Sequence, residues 1–307
     1  MSATADRPGK PTKGHLTAAL ELINLTPLMN RTRGRSEVAI SLIDGPVVLS
    51  HPEFAGRNFS EIRGSGSGTC ARPDSLACLH GTFVAGILAA RRGSSAPGIC
   101  PDCTLLVRPV FTEWSASSGQ LPAATPQELA SAMIECIEAG ARCINLSLAL
   151  AQPSSQEERD LERVLDYAAR RGVIIAAAAG NQGTLGSTAI TRHSWVIPVI
   201  ACDLRGRPTG DSNLGMSIGR RGLSAPGGAI TSLGTDGEDV TLSGTSVATP
   251  FVTGAIALLW SEFPRAAATE VKFAITQPHS MHRNTVVPPL VNAWAAYQFM
   301  KFARMRA

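Results

Sequence analysis

The sequence has little of what marks nucleic-acid and membrane proteins. Aromatic residues make up only 5% of the 307 residues, and lysines and arginines form no run. That argues against a base-stacking surface or a stripe that tracks phosphates. The net charge of +4 is too small to argue for a polyanionic partner. No stretch of about 20 apolar residues occurs, which excludes a membrane-spanning helix. The N-terminal segment lacks the apolar core of a secretory signal, because Glu21 interrupts the one candidate stretch. The expectation is a cytoplasmic protein with no nucleic-acid partner and no membrane span.

Metal-ligand clusters are missing too. No compact group of Asp and Asn supplies the roughly six to eight oxygens that calcium needs. Asp203, Asp211 and Asn213 share a loop and read as turn residues. The expectation is no metal and no cofactor. The seven cysteines are an odd number, so at least one has no partner within the chain. Cys136, Cys143 and Cys202 lie in apolar segments and read as buried thiols. Cys70, Cys78, Cys100 and Cys103 lie in or near loops. "CPDC" has zinc or redox spacing, but it stands alone, so free thiols, local disulfides and a structural zinc all remain open for these four.

What is present is an ordinary core former, with 44% apolar and 17% charged residues. Residues 1–14 read as a disordered tail, 15–36 as a helical extension, 37–276 as one domain and 277–307 as a C-terminal helical extension. Within the domain, apolar runs alternate with helical patterns. "EVAISLIDG", "CTLLVRPVF", "RCINLSLAL", "VIIAAAAG", "WVIPVIACD" and "GLSAPG" read as strands. Helices are predicted at about 15–29, from His80, at 126–139 behind Thr125, at 155–171, across "SGTSVATPFVTGAIALLW", at 267–276 and at 290–302. Residues 56–78 read as a Gly/Ser/Arg-rich loop. Strands apolar throughout, alternating with helices, imply a three-layer α/β/α fold with a mostly parallel central sheet. In such sheets, sites collect beyond the carboxyl ends of the strands.

Four residues there have complementary chemistry. Asp44 ends the strand "VAISLI", and His80 opens a helix. Asn181 follows "VIIAAAAG", and Ser246 lies in a Gly-Thr-Ser turn at the mouth of an apolar helix. Pro250 places that helix start close to Ser246, because proline is tolerated only near a helix N-terminus. Singly, these residues read as turn and capping residues. Together they supply a hydroxyl nucleophile, a base, an acid to orient the base and an amide donor for an oxyanion. Asp…His…Ser is one of the known chain orders of this triad.

"SLIDGPV", "HGTFVAG", "AAAAGNQG" and "SGTSVATPFVTGAIALL", in this order, resemble the subtilisin-like serine proteases from about Val38 to Trp260. The resemblance implies Asp44, His80 and Ser246 as a catalytic triad and Asn181 as the side-chain oxyanion donor. "CINLSLAL" then resembles the strand that pairs with an extended substrate, which makes Ser147, Leu148 and Ala149 substrate-binding. "IDGPVVLSHPEFAG", "PGICPDCTLLVRPVF" and the leading helix "LELINLTPLMNRT" are similar to the N-terminal proteases of cyanobactin maturation. The implied function is a serine endopeptidase acting on a peptide or protein, such as a leader-bearing precursor. The alternatives are a macrocyclase with the same acyl-enzyme and a peptide-binding pseudoprotease. The short 56–79 loop favours hydrolysis over cyclisation. The sequence departs from the family at Phe83, where many members carry a second histidine. Ala149 and Leu150 stand where the family has glycines beside the substrate. About 37 residues precede the first strand, too few for a folding prodomain, so no activating self-cleavage is expected.

Overall fold

The computed structural model describes residues 14–62, 64, 70–111, 124–148, 157–276 and 284–306. The expected tail at 1–14 lies almost wholly outside them. The strands are β1 (Ala39–Asp44), β2 (Asn58–Glu61), β3 (Thr104–Pro109), β4 (Cys143–Leu146), β5 (Ile174–Ala178), β6 (Val196–Cys202), β7 (Leu223–Pro226), β8 (Ile230–Leu233) and β9 (Asp239–Leu242). The helices are α1 (Gly14–Leu22), α2 (Thr26–Arg31), α3 (Leu76–Ala89), α4 (Pro126–Glu138), α5 (Glu157–Arg171), α6 (Ala189–Arg192), α7 (Met216–Arg221), α8 (Thr245–Glu262), α9 (Ala268–Thr276) and α10 (Ala293–Met305).

Seven strands form one parallel sheet in the order β2-β3-β1-β4-β5-β6-β7, and β8 and β9 pair as an antiparallel hairpin. Alternate strand residues pack to opposite faces, which is why the strands read as continuous apolar runs. Leu42, Val107, Ile174 and Val199 belong to the core on the α3 and α8 side. Ile43, Leu106, Ile144 and Ile175 belong to the core on the α4 and α5 side. This is the expected three-layer α/β/α fold. The register aligns the carboxyl ends: Asp44 lies opposite Pro109, Ile43 opposite Leu146, and Leu146 opposite Ala177. Whatever follows β1, β4 and β5 therefore meets along one edge of the sheet.

Several boundaries differ from the sequence reading, each for a local reason. The 56–78 stretch holds the edge strand β2 and the start of α3. The alternately exposed residues of β2 (Asn58, Phe59, Ser60, Glu61) give no apolar run. The predicted first helix is two helices, broken at Asn24, whose φ of 51° is left-handed. The last helix starts later than predicted. Residues 289–291 run extended beside β7, with Ser224 N–H donating to Pro289 O at 2.7 Å and Val291 N–H to Ser224 O at 2.9 Å. Asn292 then caps α10 by accepting from Ala295 N–H. Among the open cysteine alternatives, Cys70 is bridged to Cys78, while Cys100 and Cys103 are free and buried. These four thus form no common ligand set.

Helix α3 is brought hard against the end of β1 by Gly81. A Cβ there would stand 2.4 Å from Pro46 O and 2.5 Å from Gly45 O. Both obstacles are backbone, so neither can rotate away. Gly81→Ala is expected to push α3 off the β1 end and to cost about 1–3 kcal/mol, as overpacking does. Urea denaturation measures it.

Candidate active site

Asp44 is the last residue of β1 and is fully buried. A buried carboxylate needs partners. Its Oδ1 accepts from Gly45 N–H at 2.6 Å and lies 2.7 Å from His80 Nδ1. His80 stands in α3, whose first turn is set by Ser75, the N-cap, accepting from Cys78 N–H at 3.1 Å. The Cys70–Cys78 bridge ties the preceding segment to that same turn. Because a carboxylate only accepts, the network assigns the proton to Nδ1. His80 Nε2 is then an acceptor, and it lies 2.9 Å from Ser246 Oγ.

Ser246 is the second residue of α8, behind Gly244 at the cap position. Its N–H is one of the free donors at a helix N-terminus and has no acceptor among the described residues. Asn181 sits on an exposed turn three residues beyond β5. Its Oδ1 accepts from both Thr245 N–H (2.8 Å) and Thr245 Oγ1–H (2.9 Å). Those two donors fix the amide's orientation and leave Nδ2 as its outward donor. Nδ2 lies 3.0 Å from where a Cβ on Gly244 would stand, next to the start of α8. The predicted residues Asp44, His80, Ser246 and Asn181 thus meet, although they lie on four separate elements.

Pro250 has a consequence that its sequence position alone did not reveal. A proline has no N–H, so the Ser246 carbonyl loses its i+4 donor within α8. Ser147 Oγ–H, from the segment after β4, donates to that carbonyl at 3.0 Å. Ser147 Oγ in turn accepts from Asn145 Nδ2 at 2.7 Å, and Asn145 Oδ1 accepts from Thr253 Oγ1–H at 2.9 Å. This buried chain fastens the Ser246 turn to the sheet. The Ser147 hydroxyl is therefore committed inside the protein, whereas the backbone beyond it remains the substrate-strand candidate. Leu148 is buried, and Ala149 lies outside the described residues. Thr245, Asn145 and Thr253 are the residues that sequence reasoning missed. Threonines inside a helical pattern and an asparagine inside a strand give no local sign of such pairing.

Burial pushes the Cys136 and Cys202 thiols up to about 12, so both stay protonated at neutral pH. No group of three or more His, Cys, Asp or Glu side chains among the described residues is arranged to hold a metal ion.

Residues 35–286 match the family model described as the subtilase family. The chain belongs to the subtilase family. Among similar proteins is a thermostable alkaline protease of Halalkalibacterium halodurans, 34% identical over 199 residues, covering 64% of this chain and 51% of that protein. The chain thus spans about half the length of that relative. Two solved structures are also similar. A mutant of the protease domain of PatA has a TM-score of 0.78 and 29% identity, covering 88% of this chain and 97% of that one. The prenylagaramide maturation protease PagA has a TM-score of 0.76 and 28% identity, covering 89% and 98%. No helix of this subtilase, among the described residues, is long and apolar enough to cross a membrane.

Ser147→Ala in this subtilase is expected to leave the Ser246 carbonyl and Asn145 Nδ2 short of partners and to cost about 1–3 kcal/mol. Pro250→Ala, which returns an N–H to the helix, should recover part of that loss. Urea denaturation of the two single variants and the double variant checks both statements.

Proposed function

We propose that this subtilase is a serine endopeptidase, with Asp44, His80 and Ser246 as its triad and Asn181 as side-chain oxyanion donor. The observation that carries the reading is the unbroken hydrogen-bond chain from Asp44 Oδ1 through His80 to Ser246 Oγ. Ser246 Oγ attacks the scissile carbonyl carbon while its proton passes to His80 Nε2. Asp44 holds the ring in its tautomer and stabilises the imidazolium. The oxyanion is met by Asn181 Nδ2–H and Ser246 N–H. When the C–N bond breaks, His80 returns the proton to the departing amine. Water, activated by the same imidazole, then hydrolyses the acyl-enzyme and regenerates the serine.

Ser147, Leu148 and Ala149 are proposed to carry the backbone along which an extended substrate pairs. Similarity to PatA and PagA supports a ribosomally made precursor peptide as the substrate class, with removal of its leader segment as the outcome. A reaction that needs only side chains and water calls for no cofactor, and the chain is proposed to act in the cytoplasm on such a precursor.

Candidate precursor peptides incubated with the protein and with Ser246→Ala, then read by mass spectrometry, test this. The expected result is a linear cut that disappears in the variant, with fluorophosphonate labelling confined to Ser246. A product lighter by one water identifies a macrocyclase. Absence of both cleavage and labelling identifies a peptide-binding protein. Asn181→Ala is expected to lower kcat by about 10²–10³ while leaving labelling detectable.

A further inference from the structure

An oxyanion donor must be held still, because its worth lies in being aimed before charge develops. Asn181 stands in a poor place for that. Its turn is exposed and flanked by Gly180 (φ +105°) and Gly183 (φ +62°), both left-handed and both without side chains to pack. Thr245 orients the carboxamide, and its Oγ1 accepts from Gly180 N–H at 3.1 Å, but among the described residues no hydrogen bond from α8 reaches the backbone from Gln182 to Thr184.

That backbone is held by Asn213, from the loop after β6. Its Oδ1 accepts from Gln182 N–H (3.0 Å), Thr184 N–H (3.1 Å) and Thr184 Oγ1–H (3.1 Å). Its Nδ2 donates to Ala179 O (3.2 Å) and Gln182 Oε1 (2.6 Å). Three donors on one side and two acceptors on the other settle which way the amide faces. The contacts fall on both sides of Asn181 and never on Asn181 itself. Main-chain bonds extend the clasp: Asn213 N–H donates to Gly180 O at 2.9 Å and Gly183 N–H to Asp211 O at 2.8 Å. The fit is close, since a Cβ on Gly180 would stand 2.4 Å from Asn213 Nδ2. Alanine offers neither half of this pattern, and aspartate cannot donate to Ala179 O or Gln182 Oε1.

We infer that Asn213 is a positioning residue for catalysis, which fixes the turn carrying Asn181 and acts on the reaction only through Asn181. This rests on the reading of Asn181 as oxyanion donor. Asn213 touches no reacting atom, so its removal weakens transition-state stabilisation and leaves substrate binding in place.

The test is a double-mutant cycle on hydrolysis of p-nitrophenyl acetate, with thermal melts of each variant. Asn213→Ala is expected to lower kcat about 10-fold to 100-fold with KM within about twofold, the scale of a small misplacement at a reacting centre. In the Asn181→Ala background the same change should cost nothing further. Thr184→Val removes one of the three donors to Oδ1. It should show a smaller loss with the same dependence on Asn181, and it carries the test if Asn213→Ala fails to melt as a folded protein. Equal losses in both backgrounds, or wild-type kcat in Asn213→Ala, overturn the inference. Wild-type kcat in Asn181→Ala overturns the oxyanion reading beneath it, and the cycle tells these failures apart.

Discussion

The buried contact between Asp44 and His80 is the interaction on which the rest of the site hangs. A carboxylate wholly removed from water is costly unless charge and hydrogen bonds compensate it. Here the compensation comes from the Gly45 N–H and from the imidazole of a residue 36 positions away. The pairing requires α3 to touch the end of β1. Gly81 permits the contact, and the Cys70–Cys78 bridge with the Ser75 cap keeps the start of α3 in place. Without that docking, His80 Nε2 would have no reason to stand beside Ser246.

The second constraint is the entrance to α8. A helix N-terminus has unpaired N–H groups, which suit it to developing negative charge, and Pro250 strips an additional donor from its first turns. The protein answers with a buried polar chain through Thr253, Asn145 and Ser147. Buried polar groups in an apolar core have few alternative partners, so such a chain specifies one arrangement. Around the sheet edge, Thr245 and Asn213 do similar work on the exposed turn. The outcome is that the Ser246 hydroxyl, the His80 imidazole and the Asn181 carboxamide are held in place by ordinary threonines, serines and asparagines.

The architecture was legible because a parallel sheet buried on both faces writes itself as repeated apolar runs, and "VIIAAAAG" or "WVIPVIACD" leave little choice. The weaker elements were not. β2, β8 and β9 are four-residue strands of mixed polarity, and the Asn24 break leaves no gap in the apolar spacing around it. The candidate site was legible at Asp44, His80, Asn181 and Ser246, which the fold brings together and where strong local signals coincide: strand ends, a helix start, and glycines beside side chains of complementary chemistry. It was silent at Asn145, Asn213, Thr245 and Thr253, which look like any other polar residue in their segments.

The sequence by itself therefore determined the layers, the order of the chemical groups and the point at which the α8 helix begins, since each follows from periodicity or from the chemistry of single residues. Only the tertiary structure decided how those groups are held. His80 and Ser246 are 166 positions apart, Ser147 and Ser246 are 99, and Asn181 and Thr245 are 64. A hydrogen bond depends on distances of a few tenths of an ångström and on angle. No local pattern encodes those across such separations, so they exist only once the sheet's register has brought the ends of β1, β4 and β5 together.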